Sequence, residues 1–310
     1  DLDHTNIRVQ EEIINWMNNR LKTDIGFKGW RYDYVKGYSG EYVGYYNSKT
    51  SPEISVGELW AGTNSWESHD TWVESTVNGG YGSMIFDFAL KSKLNSAFGW
   101  FKDSWEGDTH ITDYSNNALA MDLKELKWGY NSSKPENTVT FVDNHDTGSS
   151  QQHWELRNDR VYLAYVYTLT HPGLPCVAWE HFFDWGNIYE NGPTYREHLE
   201  KLIDIRKEYG ISQKSTVVVE KGDAADEYAA KIDDIIAVKI GTGMTYNPGS
   251  NWGIIYSGTN FAIWKKGHVA ELSNIEVSEG VLTPEFDSDV TDYTMDLTYF
   301  VDEISVTPSA

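Results

Sequence analysis

The sequence predicts an α/β fold, with a parallel sheet connected by helical crossovers, followed by a separate antiparallel all-β unit. Three observations carry this. Short strand-like runs alternate with helical patterns up to Gly210. From about Ser212 the helical periodicity stops, and short strands separated by turn residues take over. The residues from 268 onward change again, to acidic strands lacking any helix pattern. With 310 residues, 40% of them hydrophobic, the chain can bury a sizeable core in more than one domain.

The first element is a helix, "IRVQEEIINWMNNRLK", with Val9, Ile13, Ile14, Trp16, Met17 and Leu21 at helical spacing and Glu11 and Glu12 early. It stops at "DIG" and leads into the aromatic strand "GFKGWRYDYVKGY". There Arg31 and Asp33 share one face, and Trp30, Tyr32 and Tyr34 share the other. "PEISVGELW" is a second strand, and Ser83 to Phe98 reads as strand then helix. "NTVTFVDNHDTG" is a strand ending in a polar cluster. A helix from about Asp159 to Thr170 is followed by a Pro/Gly turn and a buried strand at "GLPCVAW". "YREHLEKLIDIRKEYG" is an amphipathic helix closed by Gly210. The segments "STVVVE", "IIAVKI", "WGIIYSG" and "NFAIWKK" are the antiparallel strands that follow.

Composition narrows the function classes. The formal net charge of -22, from 47 acidic and 25 basic residues, argues against nucleic acid and anionic membrane as partners. Thirteen Trp and twenty Tyr are many for this length, and flat rings stack on sugar faces as well as fill cores. Cys176 is the single cysteine, so the chain has no internal disulfide and no Cys-based metal cluster. No apolar run reaches the about 18 residues of a membrane span. No signal peptide is visible in a chain that opens at "DLDHTN".

The chemistry lies in three carboxylates just beyond strand ends: Asp33, Glu58 and Asp146. In a barrel of parallel strands the C-terminal ends converge on one mouth, so acids distant in sequence can share a pocket. Two carboxyl groups about 5 Å apart across a sugar linkage give retaining glycoside hydrolysis. A third acid can hold hydroxyls and stabilise oxocarbenium-like charge. Arg31, on Asp33's face, would keep that carboxylate ionised.

"GFKGWRYDYVKGY", "ISVGELW" and "FVDNHDTG" resemble, in order and spacing, three blocks of the α-amylase family of glycoside hydrolases. "PGLPCVAWEHFFDWG" resembles that family's eighth strand and following loop. The resemblance covers roughly residues 1–265. "IFDFALK", "NHDTG" and "QQHW" are closest in texture to bacterial maltooligosaccharide-forming members, and the first block also suits plant and archaeal ones.

By position, the resemblance implies Asp33 as nucleophile, Glu58 as general acid/base and Asp146 as transition-state stabiliser. It implies substrate contacts from Arg31, Lys36 and His145, and Trp60 is a candidate sugar platform. It also implies a structural calcium, with Asp1 and the carbonyl of Gly37 among its oxygen ligands.

The implied fold is a (β/α)8-type barrel whose first strands have no counterpart here, which makes the chain a piece of a longer protein. The implied domains are a barrel portion over 1–211, an antiparallel β domain over 212–267 with seven or so strands, and part of a cadherin-like β-sandwich over 268–310. That last part rests on the tail itself, as "LSNIEVSEGVLTPEFDSDVTDYT" resembles the cadherin-like β-sandwich modules appended to bacterial secreted and surface proteins. The implied activity is retaining hydrolysis of α-1,4-glucosidic bonds in starch or maltooligosaccharides by a secreted monomer. An exo-acting maltooligosaccharide-forming enzyme or an α-glucan transferase is the alternative within the class. A non-catalytic glucan-binding protein is the alternative outside it.

Overall fold

A computed structural model describes residues 2–60, 66–98, 135–148, 153–183, 194–222, 226–267, 274–287, 290, 292–297, 301 and 303–309. Five strands form a parallel sheet in the order β1-β2-β3-β4-β5: Gly29–Tyr32, Ile54–Gly57, Met84–Phe86, Thr138–Phe141 and Leu174–Cys176. Sequential order in a parallel sheet requires a crossover after every strand. Helices α2 (Gly40–Thr50), α3 (Trp66–Asn78) and α4 (Phe88–Ala97) supply three of them. The helices Val161–Thr170 and Tyr195–Glu208 follow β4 and β5. The alternation and the strand-then-helix reading of 83–98 are thus both present.

The helix starts follow capping chemistry. Ser39 caps α2 through Glu41 N, Asp87 caps α4 through Leu90 N, and Thr194 caps the 195–208 helix through Glu197 N. At the other end of the 161–170 helix, Arg206 donates to the carbonyls of Leu169, His171 and Gly173 at 3.0, 2.7 and 2.7 Å. Those carbonyls have no intrahelical donors, so a guanidinium satisfies them and fixes the turn into β5.

Helix α1 (Ile7–Asn15) continues with a wider, π-type winding over Trp16–Ile25. Met17 is buried against Trp30 and Tyr46, with Ile13, Ile14 and Leu21 packed alongside. Trp16, expected on that face, is instead 57% exposed. Residues 13, 14, 17 and 21 recur at three- and four-residue intervals, and Trp16 falls beside that row. The strand at "GLPCVAW" was expected to be buried, yet β5 is the edge of this sheet among the described residues and Cys176 is exposed. Pairing on one side only leaves its other edge uncovered.

Residues Val217–Lys221, Tyr228–Ile232, Ile236–Ile240, Trp252–Gly258 and Phe261–Lys266 form β6 to β10 of an antiparallel sheet ordered β6-β7-β8-β10-β9. Five strands are described here, where the sequence suggested seven or so. The largest core joins this sheet to the preceding helices. Val161, Val166, Leu199, Leu202, Tyr228, Val238 and Ile263 belong to one buried cluster. Fully burying each such aliphatic side chain contributes about 1.5–3 kcal/mol. Polar contacts cross the same boundary: His171 Nε2 lies 2.8 Å from Tyr228 Oη, and His198 Nδ1 lies 2.7 Å from Tyr256 Oη.

Beyond this sheet lie two short antiparallel ribbons. Asn274–Val277 pairs with Val306–Ser309, and Leu282–Thr283 pairs with Thr294–Met295. Among the described residues no helix is long and apolar enough to cross a membrane.

Candidate active site

Strands β1 and β2 pair in register, Arg31 opposite Val56 and Tyr32 opposite Gly57. The residues leaving their C-terminal ends are therefore neighbours. Gly57 is required because α3 presses on β2 here, and a Cβ at that position would meet the Trp72 ring at 2.2 Å. Past the strand ends the backbones stay tied. Glu58 N donates to Tyr32 O at 2.9 Å, and Val35 N donates to Glu58 O at 3.1 Å.

Between these bonds the chain turns sharply. Tyr34 has φ of +45°, a left-handed conformation that costs a residue bearing a Cβ about 1–2 kcal/mol. The turn aims its N–H at Glu58 Oε2, 3.3 Å away. Tyr34 itself is 65% exposed, so it does not share the buried aromatic face expected for Trp30, Tyr32 and Tyr34.

Arg31 sits between two acids. Its Nη1 lies 2.6 Å from Asp33 Oδ1 and its Nη2 lies 2.6 Å from Glu58 Oε1. The two carboxylates differ in surroundings: the Asp33 side chain is 73% exposed and that of Glu58 only 6%. Burial pushes the Glu58 carboxyl above its ordinary value, against the opposing pull of Arg31 and the Tyr34 amide.

Asp146 lies on the loop after β4, also at the C-terminal edge of the sheet, with His145 Nε2 3.3 Å from its Oδ2. Asn144 Oδ1 shapes the loop by accepting from the amides of Asp146 at 3.0 Å and Thr147 at 2.8 Å. The structure thus brings Arg31, Asp33 and Glu58 into one cluster and His145 and Asp146 into another. Among the described residues no hydrogen bond or ion pair joins Asp146 to the first cluster.

Lys36 and Gly37 lie in a short 3-10 turn over Val35–Gly37. Lys36 lines an open cavity of about 720 Å³ together with Val35, Leu59 and Trp72. Trp60 is half-buried, stacked on Phe88 and Trp154 at ring-centroid distances of 5.2 and 6.4 Å. Asp1 lies outside the described residues.

The fold and this cluster set the chain beside known proteins. An α-amylase C-terminal β-sheet domain family matches residues 208–265. Over 135 residues the chain is 40% identical to the α-amylase type B isozyme of Hordeum vulgare, a match covering 82% of that protein and 43% of this chain. The chain belongs to the α-amylase family.

It is also 35% identical over 279 residues to probable α-amylase 2 of Arabidopsis thaliana. That match takes in 86% of this chain, which spans 61% of the relative's length. Among solved structures, a debranching enzyme of Nostoc punctiforme soaked with acarbose shares the fold, with a TM-score of 0.59 at 16% identity over 85% of this chain and 62% of that one. Such barrels carry their active sites at the C-terminal face of the parallel strands, where Asp33, Glu58 and Asp146 all lie.

Sequence reasoning within this family missed two features. One is the backbone of Tyr34, whose conformation leaves no compositional trace. The other is Asp143 and Lys91, both buried and 2.6 Å apart. Their signal was present: a lysine amid "FALKSKLNSAF" points into apolar surroundings, where an amine requires a carboxylate partner.

Proposed function

We propose that the protein is a retaining glycoside hydrolase that cleaves α-1,4-glucosidic bonds in starch- or glycogen-like polymers. The observation that carries this reading is one guanidinium shared by two carboxylates with unlike environments, the exposed Asp33 and the buried Glu58. Retaining hydrolysis needs one ionised carboxylate and one protonated carboxyl group, close together.

In this mechanism Glu58 gives its proton to the glycosidic oxygen as the bond to the anomeric carbon breaks. Asp33 attacks that carbon from the opposite face and forms a covalent glycosyl-enzyme. Glu58, now ionised, takes a proton from water, which displaces Asp33 and releases the α-anomer. Two inversions return the original configuration. Arg31 holds Asp33 through an ion pair of 2.6 Å, while burial favours the protonated form of Glu58. Asp146 is assigned to the oxocarbenium-like charge and the sugar hydroxyls. His145, 63% exposed, and Lys36 on the cavity wall are assigned to sugar contacts. Trp60 offers a sugar whatever ring surface its packing on Phe88 and Trp154 leaves.

Calcium enters the proposal as a structural ion only, with Gly37 and Asp1 as two of its oxygen ligands. The described residues do not complete a site, since they contain no group of three or more acidic, His or Cys side chains placed to hold a metal. A barrel portion ending at 211, an antiparallel β domain ending at 267 that shares the barrel helices' core, and a secreted location complete the proposal. The ribbons beyond residue 273, in a segment resembling modules of secreted bacterial proteins, support the latter.

The test is proton NMR of the first products from maltoheptaose, using the natural full-length protein with calcium present. Short oligosaccharides released as the α-anomer are expected, and their lengths distinguish endo from exo action. Glu58→Gln is expected to abolish turnover while starch binding persists. Starch binding without any turnover by the parent protein would replace this reading with that of a glucan-binding protein.

A further inference from the structure

We propose that Lys91 and Asp143 form a buried positioning pair that fixes the loop carrying His145 and Asp146; this rests on the hydrolase reading above. Lys91 on α4 is fully buried, and its Nζ donates to Asp143 Oδ1 at 2.6 Å and to Asn95 Oδ1 at 2.7 Å. Asp143 is the second residue past β4, three residues before Asp146.

Its carboxylate ties both sides of the loop. Thr147 Oγ1 donates to Oδ1 at 3.2 Å, and Leu156 N donates to both carboxylate oxygens at 3.2 Å. Thr147 Oγ1 in turn accepts from Asn144 N at 2.9 Å, so the hydroxyl relays Asp143's position to the turn that holds Asp146. The loop folds tightly over this centre: a Cβ on Gly148 would come within 2.9 Å of Asp143 Cβ. Asn95, fixed by Lys91, donates to the carbonyls of Trp154 at 3.3 Å and Glu155 at 3.1 Å on the far side. His181 Nε2, 3.9 Å from Asp143 Oδ2, closes the remaining side, and Tyr165 Oη holds its Nδ1 at 2.9 Å.

A buried ion pair is a weak source of stability, because desolvating two charges offsets their attraction. What this one supplies is direction. An apolar pair would fill the same volume, but it would offer the Thr147 hydroxyl and the Leu156 amide no acceptor. Neither Lys91 nor Asp143 touches substrate in this arrangement; they act through Asp146, as positioning residues.

The experiment measures kcat, KM and melting temperature in the natural full-length protein for Lys91→Met, Asp143→Leu and the double variant, with maltoheptaose as substrate. Each single variant is expected to lose about 10²-fold in kcat, the usual cost of misplacing a reacting group by about 1 Å. KM is expected to change by no more than about threefold. The double variant leaves no uncompensated charge, so its melting temperature should recover toward the parent's while kcat stays low. Recovery of kcat along with stability would show a merely structural pair and overturn the positioning role.

Thr147→Val breaks the relay without exposing a buried charge, and is expected to lower kcat about tenfold. It decides the matter if Lys91→Met does not fold, and a parental kcat in Thr147→Val then overturns the role. A parent protein without turnover overturns the hydrolase reading and this role together. An active parent with an unchanged Lys91→Met variant overturns the role alone.

Discussion

Tyr34 donates its backbone N–H to Glu58 Oε2 across 3.3 Å, and it can do so only because its φ is +45°. Strained residues of this kind persist where the surroundings over-determine them, and they cluster at functional sites. Here the strain places a donor at a buried carboxylate. Proline at this position would force φ to about -65° and delete the N–H. Tyr34→Pro is therefore expected to lower kcat/KM by about 10²-fold in initial-rate assays on maltoheptaose. Because the side chain is exposed, circular dichroism should show a folded protein. Tyr34→Gly keeps both the turn and the N–H and should lose far less.

Arg31 governs the basic limb of the pH profile. Burial raises the Glu58 carboxyl's pKa, and the Arg31 charge opposes that rise. Replacing Arg31 with Met removes the opposition, so Glu58 holds its proton to higher pH. The basic limb of the kcat/KM profile, which reports loss of the protonated acid, is expected to move upward in pH. The maximum rate should also fall by about 10- to 100-fold, since Asp33 loses the guanidinium, 2.6 Å from its Oδ1, that holds it in place. A basic limb that stays in place in Arg31→Met would remove Glu58 from the general-acid role.

Asp87 gives a pH prediction for stability. Its wholly buried carboxyl caps α4, and burial pushes its pKa from 3.8 up to about 7. Between those values the unfolded chain has released a proton that the folded chain retains. Stability therefore falls as pH rises through this window and levels off above it. The span corresponds to something on the order of 4 kcal/mol. Asn keeps the cap and carries no charge. Asp87→Asn should thus gain stability over the parent, with a gain that grows from about pH 4 to pH 7, followed by urea unfolding at fixed pH intervals. A gain independent of pH would show that burial of the charge is not the cause.

Much of this was legible in the sequence, for identifiable reasons. Strand and helix alternated clearly because several of these helices open on a capping side chain, as at Ser39, Asp87 and Thr194. The position of Asp33, Glu58 and Asp146 beyond strand ends followed from the strand pattern, but the contact of Arg31 with Glu58 and the separation of Asp146 from that cluster did not. Three other things did not follow. Trp16 fits a helical count loosely, and the π-type winding that begins there is a tertiary outcome. The exposure of β5 depends on what lies beside it, which no local pattern encodes. The buried Lys91–Asp143 contact joins residues 52 apart in sequence, so the apolar setting of Lys91 signals a partner without naming it.

The core shared by the 161–170 and 195–208 helices and the antiparallel sheet has a consequence for how the molecule comes apart. Cutting the chain near Ser212 would not separate two modules. It would strip Tyr228, Val238 and Ile263 from Val166 and Leu202 and orphan the histidines that meet Tyr228 and Tyr256. Barrel helices and sheet are in this sense a single cooperative unit, and their hydrogen-exchange protection is expected to be lost in one step.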